Sequence, residues 1–121
     1  MEVINLKEKL KGISEHWSPH IAGALNGQLI KLAKVKGDFV FHHHENEDEL
    51  FLVISGKLFM DFENGETKEI NPGEFLIVPK GVSHRPHAIV ETEILLFEPN
   101  TTLNTGNVIN DFTKQNLPKT V

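Results

Sequence analysis

Hydrophobic and polar residues alternate through the middle of the chain with the period of two that is typical of β-strands. In the first such segment, the side chains of Leu29, Lys31, Ala33 and Val35 would share one face and those of Ile30, Leu32 and Lys34 the other. Similar short runs follow as far as Phe97. We predict strands over Gln28–Lys36, Phe39–His44, Leu50–Ile54, Lys57–Glu63, Thr67–Ile70, Phe75–Val78, His84–Ile89 and Glu93–Phe97.

Turn-forming residues separate these runs at close intervals. Asn64-Gly65 between two alternating segments is a strong hairpin signal, because both residues tolerate positive φ. Asn71–Gly73 and Pro79–Gly81 mark two more turns, and Glu45–Asp48 is a polar, acidic one. No helical segment is long enough for the crossovers of a parallel sheet. The pattern therefore predicts an all-β sandwich or barrel.

The two ends of the chain lack this alternation. Apolar residues from Ile4 to Ile13 recur at nearly helical spacing, which predicts a short helix or an irregular arm, and Trp17–His20 has the composition of a turn. We expect one domain with an N-terminal arm over 1–27, a barrel core over 28–98 and an extended C-terminal tail over 99–121. The polar tail would pack along the barrel or cross onto a partner subunit.

Composition narrows the classes of function. The 121 residues carry a formal net charge of −5 and a single arginine, Arg85. Because nucleic-acid binding needs a clustered basic face and membrane spans need a long apolar run, we expect neither kind of partner. The chain has no cysteine, which removes disulfides and thiolate metal sites. With no secretory leader at Met1, this composition suits a cytoplasmic protein.

Histidine carries the candidate chemistry. His42 and His44 are two apart on a predicted strand, so their imidazoles would project from one face while His43 points the other way. After the acidic turn, Glu49 opens the next strand and can return beside this pair as an oxygen ligand. Imidazole nitrogens with a carboxylate suit Zn, Fe, Ni, Mn or Cu and do not select among them.

These residues also have plainer interpretations. A His-x-His pair in a strand is about as often a surface pair as a metal site. A single histidine such as His84 is more often a hydrogen-bonded structural residue than a ligand. Glu47 or Asp48 could replace Glu49 if the turn had another length. The metal-site interpretation of the His42 and His44 pair and of His84 becomes stronger only when both halves of the chain are considered together.

Both halves match the motifs of one known family. FHHHENEDELFLVISG resembles the first motif of the cupin superfamily, with His-x-His-x4-Glu-x6-Gly, and GEFLIVPKGVSH resembles the second, with Gly-x5-Pro-x-Gly-x2-His. The resemblance extends from roughly Leu29 to Glu98 and is to the small single-domain members. Two positions depart from the pattern. Ala88 stands where the second motif usually has Asn, and Gly37 lies one residue closer to the first histidine than usual.

The resemblance implies a double-stranded β-helix, or jelly-roll, barrel that holds one divalent metal ion per chain. Carried onto matching positions, the ligands are His42, His44, Glu49 and His84. A pocket beside the ion would be lined by apolar residues, namely Phe51, Val53, Leu76 and Val78. Arg85 and His87 follow the last ligand and would either meet a substrate there or lie at the rim behind the ligands, because Pro86 between them leaves their direction uncertain. A homodimer is the implied assembly, and outward-facing apolar side chains need cover, namely Ile30, Leu32, Phe39 and Phe41.

The family's range leaves the reaction open. The fold hosts isomerases, dioxygenases, decarboxylases, lyases and non-catalytic sugar binders, so it does not define the chemistry. We expect a metal-dependent enzyme, either a dioxygenase or a sugar-isomerase-like protein, acting on a small oxygenated metabolite. An ion with three neutral imidazoles and one carboxylate would favour an anionic or enolisable oxygen ligand. The alternative is a non-catalytic module that binds or senses a small molecule.

Overall fold

One long strand organises the structure. The computed structural model describes residues 1–121 and contains one helix and seven strands. In chain order they are α1 (Leu6–Lys11), β1 (His20–Leu25), β2 (Gln28–Asp38), β3 (Glu49–Ser55), β4 (Leu58–Phe62), β5 (Thr67–Ile70), β6 (Phe75–Val78) and β7 (His84–Pro99). No helix here has the length and hydrophobicity that crossing a membrane requires.

Strand β7 takes part in both halves of the sheet. Its second half lies between β2 and β3 in the antiparallel order β1-β2-β7-β3-β6. Its first half pairs with β4, which in turn pairs with β5. The register of β2 against β7 shifts between Val35 and Gly37, and such irregularities bend and twist a sheet. The predicted all-β barrel of the jelly-roll class is therefore confirmed.

The interior of the barrel is an apolar cluster to which every strand from β2 to β7 contributes. Its members are two apart along each strand, as Phe51 and Val53 are on β3 and Leu58 and Met60 on β4. Each fully buried side chain of this size contributes about 1.5–3 kcal/mol to folding. The alternation of the sequence therefore predicts the inward face correctly.

Helix α1 covers part of the outer face of β2. Asn5 caps its first turn by accepting a hydrogen bond from the Glu8 amide at 3.0 Å. Leu10 and Ile13 are buried against Leu32 in a second, smaller apolar cluster. The predicted short helix is confirmed, and it supplies the cover that Leu32 needs.

Strand β1 lies within the predicted arm, where the alternation predicts no strand. It pairs with β2 through a hairpin whose turn residues, Asn26 and Gly27, have φ of 50° and 77°. Asn-Gly is a signal for this type of turn. The strand is hard to recognise because His20–Leu25 contains glycine and alanine, which have low strand propensity.

Two other predicted elements differ from the structure. Phe39–His44 is not a regular strand, because only His42 forms a β-bridge, and that bridge is to His84. The two predicted strands His84–Ile89 and Glu93–Phe97 are parts of β7. They form one continuous strand because the residues between them include no glycine, proline or asparagine that would end it.

The other residues that are predicted to face outward differ in their surroundings, and Phe39 does not face outward but lines a cavity inside the barrel. Phe39 is buried between Trp17 and Phe112, with ring centroids 4.8 Å and 5.1 Å away. Ile30 is half-buried and Phe41 is exposed. The tail that carries Phe112 therefore packs along the barrel of its own chain, which is one of the two expected placements.

Candidate metal centre

Four metal-ligating side chains come together at one end of the barrel. Glu49 begins β3, His84 begins β7, and His42 and His44 lie in the irregular segment before them. Two backbone hydrogen bonds of 3.0 Å and 2.9 Å tie His42 to His84. One ligand atom from each of the four side chains lies within 4.8 Å of the others. The structure thus brings together the set that the family resemblance implies.

The cluster is compact and buried. None of the four residues exposes more than 4 % of its surface. Glu49 Oε1 is 3.2 Å from His44 Nε2 and 3.3 Å from His84 Nε2. The ring centroids of His42 and His84 are 4.3 Å apart. The imidazoles and the carboxylate therefore face one another inside the barrel and not the solvent.

Backbone carbonyls fix the proton on two of the rings. His42 Nδ1 lies 2.9 Å from the Val40 carbonyl oxygen, and His84 Nδ1 lies 2.9 Å from that of Val82. A carbonyl oxygen only accepts hydrogen bonds, so each Nδ1 donates and carries the proton. Each Nε2 then presents a lone pair to the cluster. Hydrogen bonds of this kind orient metal-ligating histidines.

Burial holds the side chains in the forms that bind metals. It lowers the pKa of His42 from 6.5 to about 4, and the neighbouring His84 adds to this effect. Burial by itself would raise the pKa of Glu49, but interactions with Glu98, His44 and His84 outweigh it and hold that pKa well below its usual value. Neutral imidazoles and an ionised carboxylate are the ligand forms of these residues.

Several buried polar atoms of the cluster have no hydrogen-bond partner. They are both ring nitrogens of His44, Nε2 of His84 and Oε1 of Glu49. An unpaired buried polar atom costs about 1–3 kcal/mol, and native structures contain few of them. A divalent ion would accept the facing lone pairs. The donor set of three imidazoles and one carboxylate therefore fits a divalent transition metal.

A small, mostly apolar cavity lies beside the cluster. Its volume is about 40 Å³, and the polar part of its wall is formed by His42, Glu49, Glu98 and Asn104. Trp17 and Phe39 belong to the apolar part. The space would accept a few water-sized molecules or a small ligand group.

Trp17 lies at this cavity with an unusual backbone. Its φ is 59°, in the left-handed region that bulky residues rarely occupy. Its amide donates to the Lys34 carbonyl and its indole Nε1 to the Lys36 carbonyl, both at 2.9 Å. Two hydrogen bonds to the end of β2 therefore hold the indole over the cavity despite the strained conformation.

A buried ion pair adjoins the cluster. Lys31 and Glu98 are each 1 % exposed, and Lys31 Nζ donates to Glu98 Oε1 at 2.6 Å. The second oxygen of Glu98 has no hydrogen-bond partner. Burial, together with the charge of nearby Glu49, raises the pKa of Glu98 well above its usual value. Lys31 opposes this rise in pKa, because its ammonium group favours the ionised form of Glu98. Removing one partner of a buried pair costs about 3–5 kcal/mol.

The alternative acidic ligands lie elsewhere. Glu47 Oε2 accepts a hydrogen bond from the Thr101 hydroxyl at 2.8 Å. Asp48 Oδ1 accepts one from the Lys80 amide at 2.9 Å. His43 points away from the cluster, as the strand pattern predicts, and pairs with an exposed carboxylate. None of these side chains belongs to the four-residue cluster.

Among the predicted pocket residues, Phe51 lines the cavity beside the cluster. Val53 and Val78 are buried in the apolar core, and Leu76 packs against that core. These three side chains support the barrel without reaching the cavity.

Arg85 and His87 were predicted to lie near the pocket, and their placement is corrected. Inward positions of this half of β7 alternate from His84, so the residues between them face outward. There Arg85 Nη2 and His87 Nδ1 both contact Asp61 Oδ2 at 2.9 Å. Pro86, which leaves the direction uncertain in the sequence, does not interrupt the alternation.

Some residues at the site are not found by the sequence analysis. Glu98 follows Ile94 and Leu96 at strand spacing, and Lys31 precedes Ala33 in the same way, so each is a charge in an inward pattern. A charged residue at an inward position of a strand is a signal by which both residues can be identified from the sequence. Trp17 and Asn104, which also line the cavity, carry no such signal because they lie outside the alternating segments.

The fold and the cluster define a class: a small antiparallel β-barrel with three histidines and one glutamate gathered inside it. The family model of the cupin domain matches residues 29–98. The chain therefore belongs to the cupin family. The four clustered residues and most of the barrel lie within the matched range.

Proteins similar to this chain include both sequences and solved structures. The uncharacterized protein YdbB of Bacillus subtilis is 38 % identical over 74 residues, which cover 61 % of this chain and 66 % of YdbB, just under two thirds of its length. A cupin-2 domain containing protein from Shewanella frigidimarina is 39 % identical with a TM-score of 0.79, covering 81 % of this chain and 95 % of that one. Protein NMB1881 from Neisseria meningitidis is 36 % identical with a TM-score of 0.76, covering 82 % and 100 %.

We predict that the metal-free protein loses stability as the pH falls from about 7.5 to about 5 because of His42. The unfolded chain takes up a proton on this ring near pH 6.5, whereas the folded chain resists until about pH 4. The unfolded state therefore gains about 2 kcal/mol relative to the folded state by pH 5. Urea unfolding with a chelator present, at both pH values, measures the loss. His42→Gln should lose about 2 kcal/mol less than the wild type; equal losses would contradict the prediction.

Proposed function

We propose that this chain binds one divalent metal ion through His42, His44, Glu49 and His84. The observation that supports this most directly is the convergence of four ligand side chains, three of which have buried atoms without hydrogen-bond partners. A purely structural cluster would satisfy those atoms with one another or with the backbone. The donor set suits Zn, Fe, Ni, Mn or Cu alike.

We propose further that the metal-loaded protein is an enzyme acting on a small oxygenated metabolite. Four protein ligands leave one or two positions open on a five- or six-coordinate ion, which would supply Lewis-acid or, for iron and copper, redox chemistry. The small apolar cavity supports a dioxygenase more than a sugar-isomerase-like enzyme. A sugar presents many hydroxyl groups, and those would need more polar partners than the wall offers.

The surrounding residues have separate tasks in this proposal. The carbonyl-bound rings of His42 and His84 keep Nε2 aimed at the ion. Trp17 and Phe39 contribute apolar surface to the cavity wall, and apolar surroundings strengthen electrostatic interactions. Glu98 is a further polar group on the cavity wall beside His42 and Glu49, where it can hydrogen-bond to a bound metabolite.

The second candidate function is a non-catalytic module that binds or senses a small molecule. The small volume of the cavity, about 40 Å³, supports it, because little space remains beside the cluster for a substrate. The cytoplasmic location stays a prediction that the cysteine-free composition supports.

The metal assignment predicts unequal effects of neighbouring histidines. His42→Ala and His84→Ala should each lower metal occupancy about tenfold or more, because each removes a ligand. His43→Ala is the matched control and should leave occupancy nearly unchanged, since its ring faces Glu45. Elemental analysis of the untagged, purified variants measures this, with circular dichroism to check folding. Unchanged occupancy in His42→Ala would show that the ligands are wrongly assigned.

Metal identity and oxygen uptake distinguish the two functions. We expect iron or copper in the untagged protein, and consumption of O₂ in the presence of catechol-, flavonol- or diketone-like compounds. An oxygen electrode measures the rate, with His84→Ala as the inactive control. Zinc or nickel would favour Lewis-acid chemistry, and metal-loaded protein that binds such compounds without turnover would favour the binding module.

We also propose a homodimer formed through the outer face of β3 and β6. Phe75 and Ile77 on β6 are 61 % and 51 % exposed, and they pair in register with Leu52 and Leu50 on β3. Strand β6 is also an edge of the sheet. A contiguous apolar face at a free edge is typical of a protein interface, and a second copy offers the same face by symmetry.

Ile77→Lys should convert this dimer to a monomer, because it places a charge in the apolar contact. Light scattering after size-exclusion chromatography should then report 13.6 kDa instead of twice that mass. Ile89→Lys is the matched control, since Ile89 is 74 % exposed on a different part of the barrel. A wild-type chain that elutes as a monomer would rule out the dimer.

A further inference from the structure

The C-terminal tail reaches the segment that carries His42 and His44. The His43 backbone N–H donates to the Asn107 side-chain oxygen at 2.9 Å, and the Asn107 backbone N–H donates to the His43 carbonyl oxygen at 3.0 Å. This reciprocal pair resembles the bonding that a neighbouring strand would provide. The tail thus takes the place of a strand beside a segment that has no regular strand partner.

Each residue of this segment is held by a different element. His42 is bonded to His84, and the His44 carbonyl accepts from the Gly81 amide at 2.7 Å. His43 lies between them and has its two backbone hydrogen bonds with Asn107 alone. Both peptide groups that connect the two ligand histidines therefore include an atom bonded to the tail.

Gly106 brings the tail into close contact with the same residues. A Cβ atom at this position would lie 2.9 Å from the His43 carbonyl carbon and 3.1 Å from Cδ2 of the His42 ring. Glycine also suits its φ of 55°. The tail backbone therefore lies against the segment with no room for a side chain between them.

The tail is itself an ordered, hydrogen-bonded loop. Thr105 is fully buried, and its hydroxyl lies 2.7 Å from that of Thr113. Asn104 donates to the Phe112 carbonyl at 2.8 Å and accepts from the Lys114 amide at 2.9 Å. A loop that is cross-linked in this way can restrain the segment that it contacts.

We propose that Asn107 is a positioning residue for the metal centre. By holding the peptide groups on both sides of His43, it fixes the direction in which the His42 and His44 side chains leave the backbone. The inference rests on the proposed metal site. A groove of about 200 Å³ between the tail and the acidic turn reaches His44. Loosening Asn107 would both tilt the rings and open this groove, so the ion would leave faster.

The test is the rate at which Zn²⁺ leaves the loaded full-length protein for an excess of chelator. Asn107→Ala removes the side-chain acceptor of the His43 amide and keeps the backbone bond to the His43 carbonyl. It should release Zn²⁺ about tenfold faster than the wild type, the size typical of losing a group that orients a ligand. Asn107→Asp keeps an oxygen acceptor for the His43 amide and should stay within about threefold of the wild type. Asn64→Ala is the matched control, because Asn64 also accepts a backbone amide hydrogen bond at 2.9 Å but in the β4–β5 turn.

A second readout separates positioning from general stability. The visible absorption of the Co²⁺-loaded protein reports ligand geometry, and it should change in Asn107→Ala but not in Asn64→Ala. If Asn107→Ala does not fold, Asn107→Gln moves the amide by one methylene and should show the same faster release.

The outcomes distinguish the two proposals. Release from Asn107→Ala within about twofold of the wild type, with an unchanged Co²⁺ spectrum, would overturn the positioning role while leaving the metal site intact. A wild-type protein that takes up neither Zn²⁺ nor Co²⁺ would overturn the metal site and, with it, the role of Asn107.

Discussion

Three imidazoles and a carboxylate have to meet at one buried point, and the architecture around them follows from that constraint. Each facing atom is costly to bury without a partner, so the surrounding structure must hold every side chain against drifting to solvent or to another hydrogen bond. Backbone carbonyls do so for His42 and His84, and the start of β3 does so for Glu49. The same burial that makes the cluster costly keeps His42 neutral at ordinary pH, which is the form in which an imidazole can bind a metal.

Strand β7 shows how a fold of only 121 residues can surround such a point. His84 and Glu98 lie near opposite ends of this strand, and a straight strand would separate them by about 46 Å. Yet His84 lies 3.3 Å from Glu49, and Glu98 is close enough to influence the pKa of the same residue. The strand must therefore curl around the cavity, and the register shift beside Gly37 marks one place where the sheet bends. Curvature of a single strand brings the two carboxyl groups and the histidine together.

The parts of the molecule that could be predicted from the sequence are those that depend on local periodicity. His42 and His44 are predicted from a strand period of two, although their segment forms only one β-bridge. Glu49 is predicted from the short turn that follows, and His84 from its place in a second motif. The roles of Lys31 and Asn107 depend on contacts 67 and 64 residues away along the chain, which no local pattern specifies. Arg85 and His87 were misplaced because Pro86 obscured a face that the pairing of β4 with β7 determines. Strand β1 is a different case. Its Asn-Gly turn is a hairpin signal in the sequence, but the glycine and alanine residues of the strand itself have low strand propensity.

Several residues around the site lie outside the part of the chain that matches the family. The barrel over residues 29–98 supplies the four clustered side chains, whereas Trp17 and Asn104, on the cavity wall, and Asn107, beside the histidine segment, come from before and after it. The family core can therefore account for the candidate metal centre, but not for the shape of the space beside it or for the hydrogen bonds between the tail and the segment that carries two of its histidines. Since one fold supports many functions through the segments added to it, the selectivity of this protein is to be sought in the arm and the tail.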